Sequence, residues 1–190
     1  DREGLDACTM PRLAARLGVG TMSLYRHVEG KDDLLGAVAE RVLRDVAVPE
    51  GDPDDWERRV VGYVRSLREE ALRHPALARI LADRGVAIRP VLDQLETVLA
   101  VLRAAGFSKR DAVRAFYSLL TYVLGSVVWE LPRVHQQPPG AYAEAWSEAL
   151  DGGAAGAYPN LSALRAELVT TASDDQFEYG LARLVEALRR

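Results

Sequence analysis

Apolar residues recur at helical spacing along most of the chain. Met10, Leu13, Ala14 and Leu17 fall at i, i+3, i+4 and i+7, one stripe of a short helix. Thr9 stands ahead of it as a candidate cap and Gly18 follows as a stop. Val19 sits in the turn. A second short helix starts near Thr21 or Met22, with Leu24 and Val28 facing inward. A third runs from Lys31 to about Val46, its inner face carried by Leu34, Leu35, Val38, Val42 and Val46. Asp32 and Asp33 in its first turn suit the helix dipole. Pro49-Glu50-Gly51-Asp52-Pro53 then breaks the pattern.

Beyond the break, Trp56, Val60, Tyr63, Val64 and Leu67 stripe a long helix that Asp54 or Asp55 caps and His74-Pro75 ends. Leu77, Ile80 and Leu81 mark a short helix over 75–82. Val91, Leu92, Leu95, Val98, Leu99 and Leu102 mark another, from Pro90 to the terminator Gly106. Ser108 and Asp111 form a near capping box at the head of the most apolar helix, which Pro132 is expected to end. Its apolar residues wrap more than one face, so it is buried on two sides and needs a partner besides its own core. Gly125 would let that partner approach closely. Short helices are expected at 142–150 and 162–170, with a flexible loop at 151–156. The last helix, 174–188, carries Phe177, Leu181, Leu184, Val185 and Leu188 on one stripe.

The pattern predicts an all-α chain with two parts, an N-terminal domain over 1–47 and a helical domain over 54–190. A length of 190 residues with 48% hydrophobic content is enough to bury a real core. Cys8 is the only cysteine, which excludes an internal disulfide and suits a reducing cytoplasm. No run of about 18 uncharged apolar residues is present, so no membrane span is expected, and no secretory signal is visible.

Residues 9–31 hold the candidate chemistry. Helix, tight glycine turn, helix is the unit whose second helix enters the DNA major groove, although a helical hairpin of another all-α protein has the same pattern. Thr21, Ser23, Tyr25, Arg26 and His27 offer the groups that contact phosphates and base edges. The chain carries a net charge of −4, yet this stretch sets Arg12, Arg16, Arg26 and Lys31 against Glu29 alone. A DNA footprint depends on that local sign rather than on the total.

Gly4-Leu5-Asp6-Ala7, Thr9-Met10, Leu13-Ala14, Leu17-Gly18-Val19, Ser23-Leu24-Tyr25-Arg26-His27-Val28 and Lys31-Asp32-Asp33-Leu34-Leu35 resemble the DNA-binding domain of the TetR family. Gly106-Phe107-Ser108, Ala115-Phe116-Tyr117, Tyr122-Val123-Leu124-Gly125 and the last helix are similar to the tetracycline repressor type of C-terminal domain. In the family a long helix precedes Gly4, and Asp1-Arg2-Glu3-Gly4 looks like its end, so that helix is expected to be absent from this chain.

The resemblance implies a ligand-responsive transcriptional regulator, most simply a repressor, which binds an inverted-repeat operator as a cytoplasmic homodimer. By carry-over, Tyr25, His27 and Lys31 position phosphates, and Thr21, Met22, Ser23 and Arg26 face base edges. Thr9 and Arg12 flank the groove. Pro11 and Met22 depart from the tetracycline repressor at residues used there for DNA, so a different operator is implied. The resemblance also implies an effector pocket, for which Tyr63, Leu67, Tyr117, Tyr122 and Trp129 are the candidate contacts. The implied dimer bundle would use Leu120, Val123, Val127, Phe177, Leu181, Leu184, Val185 and Leu188. The Lys31–Val46 helix would carry the effector's signal to the head.

No metal or cofactor is expected, because 75–81 lacks the imidazole that a tetracycline–magnesium chelate needs and His74 and His135 are isolated. No enzymatic activity is expected either. One cysteine and three scattered histidines give no nucleophile–base pair or metal cluster. The alternative is a dimeric small-molecule-binding or interaction module without DNA binding, for which Pro11 and Glu29 leave room.

Overall fold

The computed structural model describes residues 5, 7–52, 54–84, 89–135, 138, 140–152, 157–169 and 173–189. Segments 1–4 and 153–156, expected as the end of a preceding helix and as part of a loop, lie outside the described residues. Helices and no strands occur among those described, as the spacing of apolar residues predicts. Contacts divide the chain into two compact units, Asp1–Leu124 and Gly125–Arg190.

In the first unit, α1 (Met10–Leu17) and α2 (Thr21–Leu24) pack together across the turn. Gly18 sits at φ 67°, and the amides of Gly18 and Val19 bond back to Ala15 (3.3 Å) and Ala14 (3.0 Å). That is a Schellman closure, and the left-handed backbone rather than lack of space selects glycine, since an added Cβ would meet nothing. Thr9 occupies the cap position but its side chain makes no capping hydrogen bond, contrary to expectation. Pro11 lacks an N–H, so the first turn has one donor fewer to satisfy.

The third helix, α3 (Lys31–Leu43), packs against α4 (Trp56–Arg73), α5 (Pro75–Arg84) and α6 (Arg89–Ala104). Its inner face is turned slightly from the expected one. Val38 is 43% exposed, whereas Ala39 and Leu43 are fully buried beside Val42. Leu17 and Leu92, also expected on inner stripes, are exposed as well. The expected cap Asp55 instead turns its carboxylate to Arg58, and its side chain makes no capping bond. Ser108 does cap α7 (Lys109–His135): its hydroxyl accepts the Asp111 amide at 3.2 Å and donates to the Asp111 carboxylate. Phe107, ahead of α7, meets Trp56 edge-on at 5.1 Å and so ties the start of α4 to the end of α6.

Pro132 does not end α7, which continues to His135. Proline removes the bond to the carbonyl four residues back, that of Val128, and Val128 is exposed enough for water to take that place. A stretch of α7 within 109–132 reaches a mean hydropathy of 1.3, enough by length and composition alone to cross a membrane. Ala112, Ala115, Phe116, Leu119, Val123 and Val127 are buried within the chain, and 33% of that apolar stretch is buried overall.

In the second unit, the end of α7 is followed by α8 (Ala141–Asp151), α9 (Pro159–Ala163), α10 (Arg165–Leu168) and α11 (Asp174–Leu188). Arg165 donates to Asp151 at 2.5 Å, tying α10 to the end of α8 and lowering the Asp151 carboxyl from its ordinary value. Ser173 caps α11 by accepting the Gln176 amide at 3.3 Å.

The breaker segment between α3 and α4 is strapped down. Arg59 donates to the Pro49 carbonyl at 3.0 Å, and the Pro49 ring lies on Gly62 of α4, where an added Cβ would come within 2.4 Å of Pro49 Cγ. Gly62→Ala would therefore force the strap off α4. Overpacking should outweigh the roughly 1 kcal/mol gained in helix propensity and leave a net loss of about 1–2 kcal/mol. Urea unfolding of the two proteins checks the sign: a stabilised Gly62→Ala protein contradicts the packing.

Candidate functional site

Two places in the first unit carry chemistry. The first is the segment from α1 to the start of α3. Met22 is 77% exposed, and Tyr25, Arg26 and His27 are exposed with it, whereas Thr21 and Ser23 are half-buried. The Arg26 guanidinium donates to the Ser23 hydroxyl at 3.1 Å, which restrains the longest side chain on this surface. Thr9 and Arg12 are exposed on the α1 side, and Arg12 donates to the Ala7 carbonyl at 3.4 Å. The Glu29 amide donates to the Asp33 carboxylate at 3.0 Å, which holds the residue ahead of the Gly30 cap against the first turn of α3.

Lys31 differs from the other sequence candidates. It is half-buried, and its ammonium donates to the Leu5 carbonyl at 2.7 Å. In this structure it ties the segment ahead of α1 to the start of α3.

The second place is a cavity of about 210 Å³. Helix α3 contributes Leu43, α4 Tyr63 and Leu67, α5 Leu81, α6 Val91 and Gln94, and α7 Phe116, Tyr117, Leu120 and Leu124. Among the described lining residues none is an acid, lysine, arginine or histidine. The polar groups are the Tyr63 and Tyr117 hydroxyls and the Gln94 carboxamide. The Tyr63 hydroxyl donates to Gln94 Oε1 at 3.4 Å. Gln94 Nε2 donates to the carbonyls of Leu43 (2.6 Å) and Val46 (3.2 Å) at the end of α3. Two carbonyls on one side fix the amide's orientation, because only its nitrogen can donate. Burial pushes the Tyr63 phenol up to about 12.

Of the candidate pocket residues, Tyr63, Leu67 and Tyr117 line this cavity. Tyr122 and Trp129 do not, and Trp129 is 62% exposed. Leu120, expected at a dimer face, lines the cavity instead. Val123, Val127, Phe177, Leu181 and Val185, assigned to the same face, are all buried within the single chain, and Leu184 and Leu188 are half-buried. Helical periodicity finds an apolar face but does not say whether that face meets its own chain or another. The large apolar side chains that these helices expose are others: Val113, Tyr117, Val128 and Trp129 on α7 and Tyr179 on α11.

Leu43, Leu81, Val91, Gln94, Phe116 and Leu124 also line the cavity and are not among the residues expected there. Gln94 did carry a signal, since Val91, Gln94, Val98 and Val101 fall on one helical stripe and it is the polar member. A lone amide on a buried face needs partners there. Leu43 carried none beyond being one more leucine.

Comparisons with known proteins agree with this geometry. Residues 1–38 match the family model of bacterial regulatory proteins, tetR family, and residues 48–190 match the tetracyclin repressor-like C-terminal domain. An HTH-type transcriptional regulator of Saccharopolyspora erythraea is 35% identical over 140 residues, covering 74% of this chain and 59% of that protein. The HTH-type transcriptional repressor DrrR1 of Streptomyces coeruleorubidus is 32% identical, covering 99% of this chain and 72% of that protein. The chain thus spans well under the full length of both. The crystal structure of the TetR family protein ActR of Streptomyces coelicolor in complex with actinorhodin superposes with a TM-score of 0.84 at 35% identity. That match covers 99% of this chain and 90% of that one.

The shifted phenol sets an alkaline signature. The folded state prefers neutral Tyr63, so its contribution to stability is complete below pH 10, the ordinary tyrosine value, and is lost as pH rises towards 12. Absorbance titration should find one of the seven tyrosines ionising about two units late, together with unfolding, and Tyr63→Phe should remove that late step. Ordinary titration of all seven contradicts the burial.

Proposed function

The chain belongs to the TetR family of regulators, and on that premise we propose that it is a ligand-responsive DNA-binding transcriptional regulator. It acts in the cytoplasm as a homodimer on an inverted-repeat operator, which it releases when a small effector fills the body. The head is 1–47 and the body 54–190. The observation that carries the reading is the exposed row Met22, Tyr25, Arg26 and His27 on a tightly closed helix-turn-helix. Its local positive charge, in a chain of net charge −4, adds to that support.

Thr21, Met22, Ser23 and Arg26 read base edges. Tyr25 and His27 hold phosphates, and Thr9 and Arg12 flank the groove. Lys31 keeps a role at phosphate only through donors not used on Leu5, since an ammonium has three. Two copies of the head then sit about 34–36 Å apart, one turn of duplex.

The subunits join through the exposed faces of α7 and α11. Gly125, Val128 and Trp129 on the one and Tyr179 on the other replace the buried residues that the sequence favours. Gly125 has open space above it, which admits a close helix contact from a second copy.

The effector occupies the cavity, as ActR's solved complex with actinorhodin supports by analogy. A lining without ionisable groups other than the two phenols selects a neutral, largely apolar molecule with one or two hydrogen-bonding groups.

Selection of bound duplexes from a random pool tests the reading. Wild type should enrich an inverted repeat, and its affinity should fall steeply with salt. Arg26→Ala should cost about 1–3 kcal/mol on that sequence and relax preference at one base position per half-site. Recovery of no sequence at low salt would leave the ligand-binding module as the better reading.

A further inference from the structure

Gln94 is shared between two sites. It lines the cavity with Tyr63, and its nitrogen closes the last turn of α3 through the carbonyls of Leu43 and Val46. Those carbonyls lie where a helix runs out of its own donors, so a side-chain N–H there helps to hold the end of the helix. The local turn is otherwise kept by short-range bonds: the amide of Arg44 to Glu40 (3.2 Å), of Asp45 to Val42 (3.1 Å) and of Val46 to Leu43 (3.1 Å). The Gln94 bonds reach across 51 and 48 residues and fasten α3 to the body.

We propose that Gln94 is the positioning residue through which cavity occupancy reaches the DNA-binding head: a hydrogen-bonding ligand and the end of α3 compete for one carboxamide. This deepens the reading of the cavity as the effector site and rests on it. A ligand oxygen beside Tyr63 that accepts from Gln94 Nε2 competes with the carbonyls of Leu43 and Val46 for the same two N–H groups. Turning the amide towards the ligand removes both donations to α3. Leu43 is at once a wall of the cavity and the owner of one of those carbonyls, so the loosened end and the filled space are adjacent. A ligand of the same shape without a hydrogen-bonding group fills the space and leaves the fastening intact.

Two variants separate the roles. Gln94→Leu keeps approximate size and removes every bond. Tyr63→Phe removes only the bond from the phenol and leaves the α3 fastening. The measurement is amide hydrogen exchange at Arg44, Asp45 and Val46, with amides in the middle of α4 as internal reference. The probe is 1-naphthol, a neutral bicyclic aromatic with one hydroxyl, and naphthalene is its partner without one.

Without any probe, Gln94→Leu should exchange about ten-fold faster at 44–46 than wild type, the equivalent of one or two lost hydrogen bonds, with α4 unchanged. Tyr63→Phe should not. In wild type, 1-naphthol should give the same acceleration and naphthalene should not. Gln94→Leu should bind 1-naphthol more weakly by calorimetry and, at probe concentrations that saturate it, show no added exchange at 44–46. Equal exchange in wild type and Gln94→Leu overturns the fastening. Equal acceleration by the two probes, or by 1-naphthol in both proteins, overturns the competition. If wild type binds neither probe, the cavity reading fails and the competition with it, while the probe-free comparison still decides the fastening. Loss of operator binding affects none of these readings and is a separate failure.

Discussion

One helix belongs to two places at once, and the rest of the structure follows from that. α3 begins at Lys31, directly after the exposed segment that carries Met22 and Arg26, and ends at Leu43, fully buried and part of the cavity wall. An α-helix is stiff over 13 residues, so its two ends cannot be set independently. Whatever fixes the buried end also aims the exposed one. The fixing is apolar burial of Ala39, Val42, Leu43 and Val46, supplemented by the Gln94 carboxamide. The strap at Pro49 and Arg59 keeps the chain that leaves α3 against α4.

The cavity sits at the weak point of that arrangement. Its walls come from five helices, so no single side chain closes it and filling it presses on all five. On the same helices, Val60, Val64, Leu67, Val98, Leu102, Ala115 and Phe116 are almost completely buried, and a close-packed interior yields little. Below the roughly 300–1,000 Å³ usual for ligand pockets, a space of about 210 Å³ also sets a size limit. A compact neutral effector enters with least disturbance, and a larger one must move a wall.

Most of the architecture was legible in the sequence because helical stripes are a direct image of burial. The α1–α2 turn, the bounds of α11 and the Ser108 cap of α7 all follow from local patterns that no distant contact overrides. The errors came where distant contacts decide. Val38 is as apolar as Val42, and only the packing of α5 and α6 selects which of the two is covered. Pro132 obeys local rules against helix interiors, yet one missing bond beside exposed Val128 is tolerable.

The candidate site divides the same way. The exposed residues Met22, Tyr25, Arg26 and His27 form one short run and could be named from it. The cavity gathers residues up to 81 positions apart, and of its polar members the sequence offered only Tyr63 and Tyr117. The late-helix residues assigned to a partner subunit show the converse limit. Phe177 and Val127 are apolar at helical spacing and buried within the chain itself, whereas Trp129 and Tyr179 are exposed.

The central claim is that the buried end of α3 aims the head. Spin labels placed at position 22 by Met22→Cys in a Cys8→Ser background read the distance between the two copies of the proposed homodimer, with and without 1-naphthol. One distance near a single turn of duplex is expected in the empty protein, about 34–36 Å plus the labels' reach, and a shifted or broadened distribution when the cavity is filled. An unchanged distribution in protein saturated with the probe, or no inter-subunit distance at all, would contradict it.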